Sequence, residues 1–407
     1  MASLDRPYDL VLLGATGFVG RLTATQLALT APANLRIALA GRGADRLRAL
    51  RADLGARAAA WGVEVADVSD ASDVARLVRS TRVVLSTVGP YAPRGLPLVR
   101  GCAEAGTDYA DLTGETLFVR RSIDQADAVA RDSGARLVHA CGFDSVPSDL
   151  GVGLAAARAA ADGTGRLASA VLHVRALRGG ISGGTVDTLR QQTLETRSDP
   201  ALARLVANPS ALVDRAGSPG AGSDHRPVSR DPATGRWSAP FVMGGFNRQI
   251  VLRSGALAGG TYARGFDYRE VVDTGTGPRG AVAAAAVAAA SAALLGGMAL
   301  APTRRVLDRV LPDPGQGPSE RTRRGGRFVV EVEATTTGGA RYRTRVGAAA
   351  DPAYDATAVM LSQAGLSLAT DPRSPGGGVL TPMAALGQRL ADRLRARGFT
   401  VETERLG

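Results

Sequence analysis

The chain has 407 residues, 45% of them hydrophobic, enough to bury a full core and to predict two domains rather than a small stapled protein. Two cysteines, Cys102 and Cys141, and three scattered histidines, His139, His173 and His225, exclude a disulfide framework and predict no metal cluster. The formal charge is +11, yet the arginines are spread along the chain and aromatics reach only 4%, which predicts anionic small ligands and no nucleic acid.

All 49 basic residues are arginine. Without an amine there is no Schiff-base lysine, no P-loop lysine and no Tyr-x-x-x-Lys pair of the short-chain dehydrogenase type. No charged region, apolar stretch and cleavage site open the chain, so a cytoplasmic, reducing location is expected.

The first predicted strand, residues 8–13, runs from Leu10-Val11-Leu12-Leu13 straight into Gly14-Ala15-Thr16-Gly17-Phe18-Val19-Gly20. Glycines there let backbone N–H groups approach a pyrophosphate, and the helix opening at Phe18 turns its positive end toward that anion. Gly14, Thr16, Gly17, Phe18 and Val19 are therefore candidate dinucleotide contacts. A second strand at 35–40 ends at Gly41-Arg42, where an NAD site places an acid against the ribose 2′-hydroxyl. Arg42 offers a guanidinium to a 2′-phosphate instead, which predicts NADP; a solvated surface arginine is the alternative.

Further strands are expected at 63–66, 82–88, near 107–112 and at 136–140, separated by helical periodicity over 44–54, 72–79, 95–105 and 115–133. This alternation predicts an α/β fold: an N-terminal Rossmann doubly wound parallel sheet over residues 1–147. Ligands in such sheets lie outside the carboxyl ends of the strands, which adds Asp67, Thr87, Val88 and Gly89 to the cofactor candidates.

After Pro147 a second, mixed α/β domain is expected over 148–375, with a strand at 168–178, a helix opened by Ser182-Gly183-Gly184-Thr185, and 327–333 paired with 341–346 across Gly338-Gly339. Residues 208–236, rich in Pro, Gly, Ser and Asp, predict a long surface loop. Residues 281–302 carry no charge. Their length suits a membrane span, but Ala and Gly weaken the apolar drive, so a buried or partner-packed helix and a membrane-facing one both stay open. Over 376–407 a final helix, 383–397, is expected to return to the first domain. An oligomer is compatible with all of this.

On these motifs the chain resembles the saccharopine dehydrogenase family, in its trans-acting enoyl reductase branch, over essentially its whole length. The glycine loop and Ala40-Gly41-Arg42 are shared by many NADP enzymes. More particular are Val88-Gly89-Pro90-Tyr91, Tyr109-Ala110-Asp111-Leu112-Thr113-Gly114-Glu115, Cys141-Gly142-Phe143-Asp144-Ser145-Val146-Pro147, Ser182-Gly183-Gly184-Thr185 and Gly378-Val379-Leu380-Thr381-Pro382. The resemblance implies an active site between two domains and a partner synthase: an enzyme that saturates a C=C bond of an acyl thioester, carried on a polyketide synthase, in envelope lipid synthesis. A C–N or C=O oxidoreductase of the same fold, or a non-catalytic, membrane-associated NADP-binding scaffold, are the alternatives.

Such a reduction needs a hydride at the β-carbon, a proton at the α-carbon and donors for the developing enolate oxygen. Tyr91, directly after the fourth strand, is a candidate phenolic donor, with packing under Gly89-Pro90 as the other reading. Asp144, at the end of the sixth strand, is a candidate acid if burial raises its pKa, with helix capping as its alternative. Tyr109, Asp111 and Glu115 surround the preceding turn, where Asp111 and Thr113 are expected to cap a helix. His139 sits in an apolar strand and reads as a satisfied core residue.

Overall fold

The computed structural model describes residues 6–179, 183–213, 227–232, 234–299, 317–373 and 376–406. In chain order it runs β1 (Tyr8–Leu13), α1 (Phe18–Thr30), β2 (Ile37–Gly41), α2 (Ala44–Asp53), β3 (Gly62–Val65), α3 (Ala71–Ser80), β4 (Thr81–Ser86), α4 (Tyr91–Ala105), β5 (Asp108–Asp111), α5 (Thr116–Ser133), β6 (Arg136–Val138) and α6 (Val146–Ala161). Then follow β7 (Leu167–Arg178), α7 (Gly183–Ser198), α8 (Pro200–Ala207), β8 (Ser229–Arg230), β9 (Arg236–Pro240), α9 (Gly244–Leu257), β10 (Tyr262–Thr276) and α10 (Gly277–Ala299). The last elements are α11 (Glu320–Arg324), β11 (Arg327–Thr336), β12 (Arg341–Ala348), α12 (Thr357–Thr370), β13 (Gly378–Leu380), α13 (Pro382–Ala385), α14 (Gly387–Ala396) and β14 (Thr400–Leu406).

The first sheet has the order β13-β6-β5-β4-β1-β2-β3, with every pairing parallel. Its central strands are apolar on both faces because both are covered. Leu10 and Leu12 of β1 pack with α1, α2 and α12, whereas Val11 and Leu13 pack with α3, α4 and α5. The strand order turns back on itself between β1 and β4, so the crevice for a ligand opens between Gly14 and Thr87.

The second sheet is mixed, with the order β14-β12-β11-β7-β10-β9-β8. Only β7 and β10 pair in parallel among its described strands; β11 and β12 form the expected hairpin. α6 carries the chain from one sheet to the other and is buried along nearly its whole length, which fixes how the two sheets meet.

Several elements differ from expectation for physical reasons. α4 begins at Tyr91, four residues before the predicted start at Gly95, because Pro93 falls in the first turn, where its missing N–H costs nothing. Helix α12 lies within the predicted second domain but packs on the first sheet, where Gln363 donates to Thr30 Oγ1 at 3.2 Å. The predicted C-terminal helix is divided at Leu386-Gly387, where Gly387 has φ +46. Beyond it the unpredicted β14 pairs with β12, while β13 extends the first sheet, so the last thirty residues serve both sheets.

Of the predicted loop 208–236, residues 214–226 and 233 lie outside the described residues; the remainder contains β8 and the start of β9. α10 covers most of the uncharged stretch 281–302, whose end lies outside the described residues. The chain itself buries only 11% of its window Gly277–Leu294, which has a mean hydropathy of 1.2.

Candidate active site

The glycine loop is held by contacts that a side chain would break. Gly14 has φ +83, and a Cβ there would stand 2.6 Å from Thr87 Oγ1; a Cβ on Gly20 would stand 2.1 Å from Gly14 O. Thr87 donates its hydroxyl to Gly14 O at 3.1 Å and its N–H to Leu13 O at 3.0 Å, which ties the end of β4 to the end of β1. Gly17 stands at the N-cap of α1 without a side chain to satisfy the first-turn N–H groups. Those donors are left to whatever occupies the cleft.

A cleft of about 730 Å³ runs from this loop along the carboxyl ends of the strands and collects every predicted cofactor contact: Gly14, Thr16, Gly17, Phe18, Val19, Arg42, Asp67, Thr87, Val88 and Gly89. Phe18 has a second task. Its ring meets Tyr354 edge-on at 5.0 Å and lies 5.5 Å from the Arg323 guanidinium carbon, so it also joins the two sheets' domains.

At the outer end, Arg42 is exposed and is joined on the cleft wall by Arg46, in the first turn of α2, and Arg94, in the first turn of α4. Neither is among the sequence-predicted residues. Arg46 carries a readable signal, a second arginine in the first turn of the predicted helix that follows Arg42; Arg94 falls just before the predicted helix start. Asp67 accepts from Ser69 N at 2.9 Å and from its hydroxyl at 2.7 Å; these bonds, aided by Arg42 and Arg94, hold it below its ordinary pKa, so it remains a carboxylate.

The inner end is built by the ends of β5 and β6, the start of α4 and α7, and the turn before α12; Tyr91, Thr113, Glu115, Ala140, Gly142, Asp144, Asp187 and Tyr354 line it. The Tyr91 hydroxyl donates to Ser86 O at 3.1 Å and accepts from Leu112 N at 3.2 Å, and burial pushes its pKa well above the ordinary range. Its ring stacks on Phe118 at 5.6 Å. Its polar atom joins β4 to β5, the arrangement expected of the packing alternative. Asp144 lies partly buried on the cleft wall.

Asp111 is wholly buried and organises this floor. Oδ1 accepts from Thr113 N at 3.1 Å and Ala140 N at 3.0 Å, and Oδ2 meets His139 Nδ1 at 2.7 Å. The other nitrogen of His139 meets Ser122 Oγ at 2.8 Å. The row Ser122-His139-Asp111 has the order of a nucleophilic triad, but its three members are at most 1% exposed and none lines the cleft. It is a satisfied core network, and it holds Ala140 at φ +62. Cys141 is buried too, and burial pushes its thiol well up.

Glu115 is the side chain that the sequence leaves undervalued. It is 2% exposed and lines the cleft, and its two oxygens accept from Tyr91 N at 2.9 Å and Ala92 N at 2.7 Å, at the N-terminus of α4. Burial first, and then the carboxylates Asp111 and Glu195, raise its pKa to about 7 despite those bonds. Of the predicted wall Ser182-Gly183-Gly184-Thr185, Ser182 and the Thr185 side chain lie outside the described residues; Gly183 N donates to Tyr354 Oη at 3.2 Å, and Gly184 lines the cleft.

Residues 10–138 match the family model described as the saccharopine dehydrogenase NADP binding domain. The trans-acting enoyl reductase of Mycobacterium ulcerans (strain Agy99) is 45% identical over 422 residues, and that of Mycobacterium tuberculosis (strain H37Rv) 44% over 419, with each chain covered in full. Among solved structures, the apo saccharopine dehydrogenase (L-Glu forming) of Saccharomyces cerevisiae superposes with a TM-score of 0.56 over 98% of this chain and 100% of its own, at 14% identity, a likeness of fold.

Proposed function

We propose, for a chain that belongs to the saccharopine dehydrogenase family in its trans-acting enoyl reductase branch, the NADPH-dependent saturation of a C=C bond in an acyl thioester. The chain is an NADP-dependent oxidoreductase. The observation that carries the finer reading is the cleft itself, which joins an uncapped helix N-terminus, an arginine-lined outer end and a carboxyl-lined inner end in one continuous groove. Carriage of the acyl chain on a polyketide synthase, and work in the cytoplasm with or without a peripheral membrane contact, belong to the same proposal.

The residues fit the cofactor. Gly14 and Gly20 let the loop close tightly on itself, the first turn of α1 presents its N–H groups, and Arg42 with Arg46 would receive the 2′-phosphate. When bound, NADPH supplies the hydride. Thr87, Val88 and Gly89 would border its reactive end, beside the turns after β5 and β6 that the Asp111 network fixes. Tyr91 and Asp144, the two acids expected from the sequence, stand on this inner wall, Tyr91 as the tie between β4 and β5 and Asp144 facing the cleft.

Arg42→Ala is expected to weaken NADPH by about 1.5–3 kcal/mol, the worth of a charge-assisted hydrogen bond, and to leave NADH nearly unchanged. Titrating both cofactors into both proteins measures it, and equal losses would remove Arg42 from the specificity role. The activity is tested by offering enoyl, keto and imine substrates, free and carrier-linked, with NADPH and weighing the products. Turnover confined to keto or imine compounds would contradict enoyl reduction.

A further inference from the structure

We propose that Glu115 is the proton donor of the reaction, delivering its carboxyl proton to the α-carbon as hydride reaches the β-carbon. This rests on the enoyl-reductase reading and assigns its acid. Three observations meet at this side chain. It is 2% exposed yet lines the inner end of the cleft, so it reaches substrate without opening to bulk water. It sits beside the turns that end β5 and β6, where a Rossmann sheet places the reacting end of its ligand. And both its oxygens lie on the N-terminus of α4, with Tyr91 N at 2.9 Å and Ala92 N at 2.7 Å.

The last contact is what an acid needs after it has acted. A carboxyl group that gives up its proton becomes a carboxylate, and two backbone N–H groups at a positive helix end stabilise that charge. Before transfer the hydroxyl oxygen keeps acceptor capacity toward its N–H while its own proton points away from the helix. Balance is complete: the C=C π pair becomes the new Cα–H bond, the Glu115 O–H bond breaks with its pair left on oxygen, and NADPH, as the reductant, supplies the Cβ–H pair.

The neighbours set the protonation state. Asp111 on β5 and Glu195 on α7 are like charges that disfavour the carboxylate, and burial disfavours it more. Tyr91 on α4 and Asp144 on the cleft wall bring no cation, and the arginines of α5 and α7 are engaged by other carboxylates, Arg121 with Glu195 at 2.7 Å and Arg190 with Asp187 at 3.3 Å; Arg94, in the first turn of α4, also lines the cleft. The acid is therefore half protonated at about pH 7. Tyr91 is the poorer donor, since its proton is bonded to Ser86 O.

Because the active form is the protonated one, turnover is expected to be full below about pH 7 and to fall as pH rises through it. Glu115→Gln keeps the shape and is expected to lower kcat by about 100-fold or more and to erase that limb, with NADPH affinity by fluorescence within about threefold of wild type. Glu115→Asp is expected to retain the limb at reduced kcat. Infrared difference spectra of the protein without substrate, between about pH 5.5 and about pH 8.5, should show a protonated carboxyl component titrating near pH 7 that is lost in Glu115→Gln, while that of the buried Asp149, pushed up to about 6, remains. A purely structural cap would instead raise KM and lower stability, leaving the limb in place. Enoyl turnover whose limb persists in Glu115→Gln, or disappears in Asp144→Asn instead, would overturn this assignment alone. Absence of enoyl turnover by the wild-type protein at every pH, with the carboxyl band present, would remove the reaction and the donor role with it.

Discussion

Valine in place of Gly17 is expected to abolish NADP binding while leaving the protein folded. The residue has φ −70 and ψ 167, an extended conformation that a β-branched side chain adopts without strain. Its Cβ would meet only Gly14 O, at 3.3 Å, among neighbouring atoms, so the fold has little to lose. The rest of the side chain would stand before the first turn of α1, in the space a pyrophosphate needs. A loss beyond about 100-fold, about 2.7 kcal/mol, is expected in cofactor titration, with an unchanged circular dichroism spectrum. Tight binding retained in a folded Gly17→Val protein would place the phosphates elsewhere. The same change at Gly20 is a different experiment, because a Cβ 2.1 Å from Gly14 O breaks the loop itself.

The largest stability loss is expected at Arg136, far from the cofactor loop. Its side chain is 3% exposed and that of Asp108 5%; Arg136 Nε lies 3.0 Å from Asp108 Oδ2, and its backbone N–H donates to Oδ1 at 2.8 Å. The same guanidinium donates to Leu368 O at 2.8 Å, which fastens α12 to β6 of the first sheet. Arg136→Met removes the cation and leaves a buried carboxylate, a change that costs about 3–5 kcal/mol. Arg373, 2.9 Å from Asp108, still reaches that carboxylate and sets the expectation at the lower end. Urea denaturation reads the loss, and Asp108→Leu added to Arg136→Met should restore part of it. A loss under about 1 kcal/mol would mean that the pair contributes little.

The cofactor half of the site was legible because its physics is local. A strand, a glycine turn and a helix start are contiguous, and the ribose end follows at a fixed place in the next strand, so Gly14 to Val19 and Arg42 announce themselves. Helix α12 did not. It is buried on every side, so its apolar residues show no stripe to distinguish helix from strand. In β14 the alternation is masked by charge: Glu402 and Glu404 stand opposite Arg345 and Arg343 of β12, as an edge strand permits. The same holds for β10, where Arg264, Asp267, Arg269 and Glu270 interrupt the apolar pattern.

The inner half of the site depends on contacts that no spacing reveals. Glu115 matters because the backbone of Tyr91 and Ala92, 24 and 23 residues earlier, closes on it. Tyr91 was visible as a polar aromatic at a strand end, but the two bonds that occupy its hydroxyl come from Ser86 and from Leu112, just beyond the neighbouring strand. Ranking these acids requires burial and partners, and both are properties of the folded chain.

On the proposed reading, this cleft directs hydride to the β-carbon of an enoyl thioester. This is tested most directly by running the reaction with NADPH deuterated at the transferable C4 position and locating the label in the product by mass spectrometry and NMR. A saturated thioester with one deuterium on its β-carbon and a solvent-derived hydrogen on its α-carbon is the expected product. Deuterium on a carbonyl or imine carbon, with the C=C bond left intact, would contradict it.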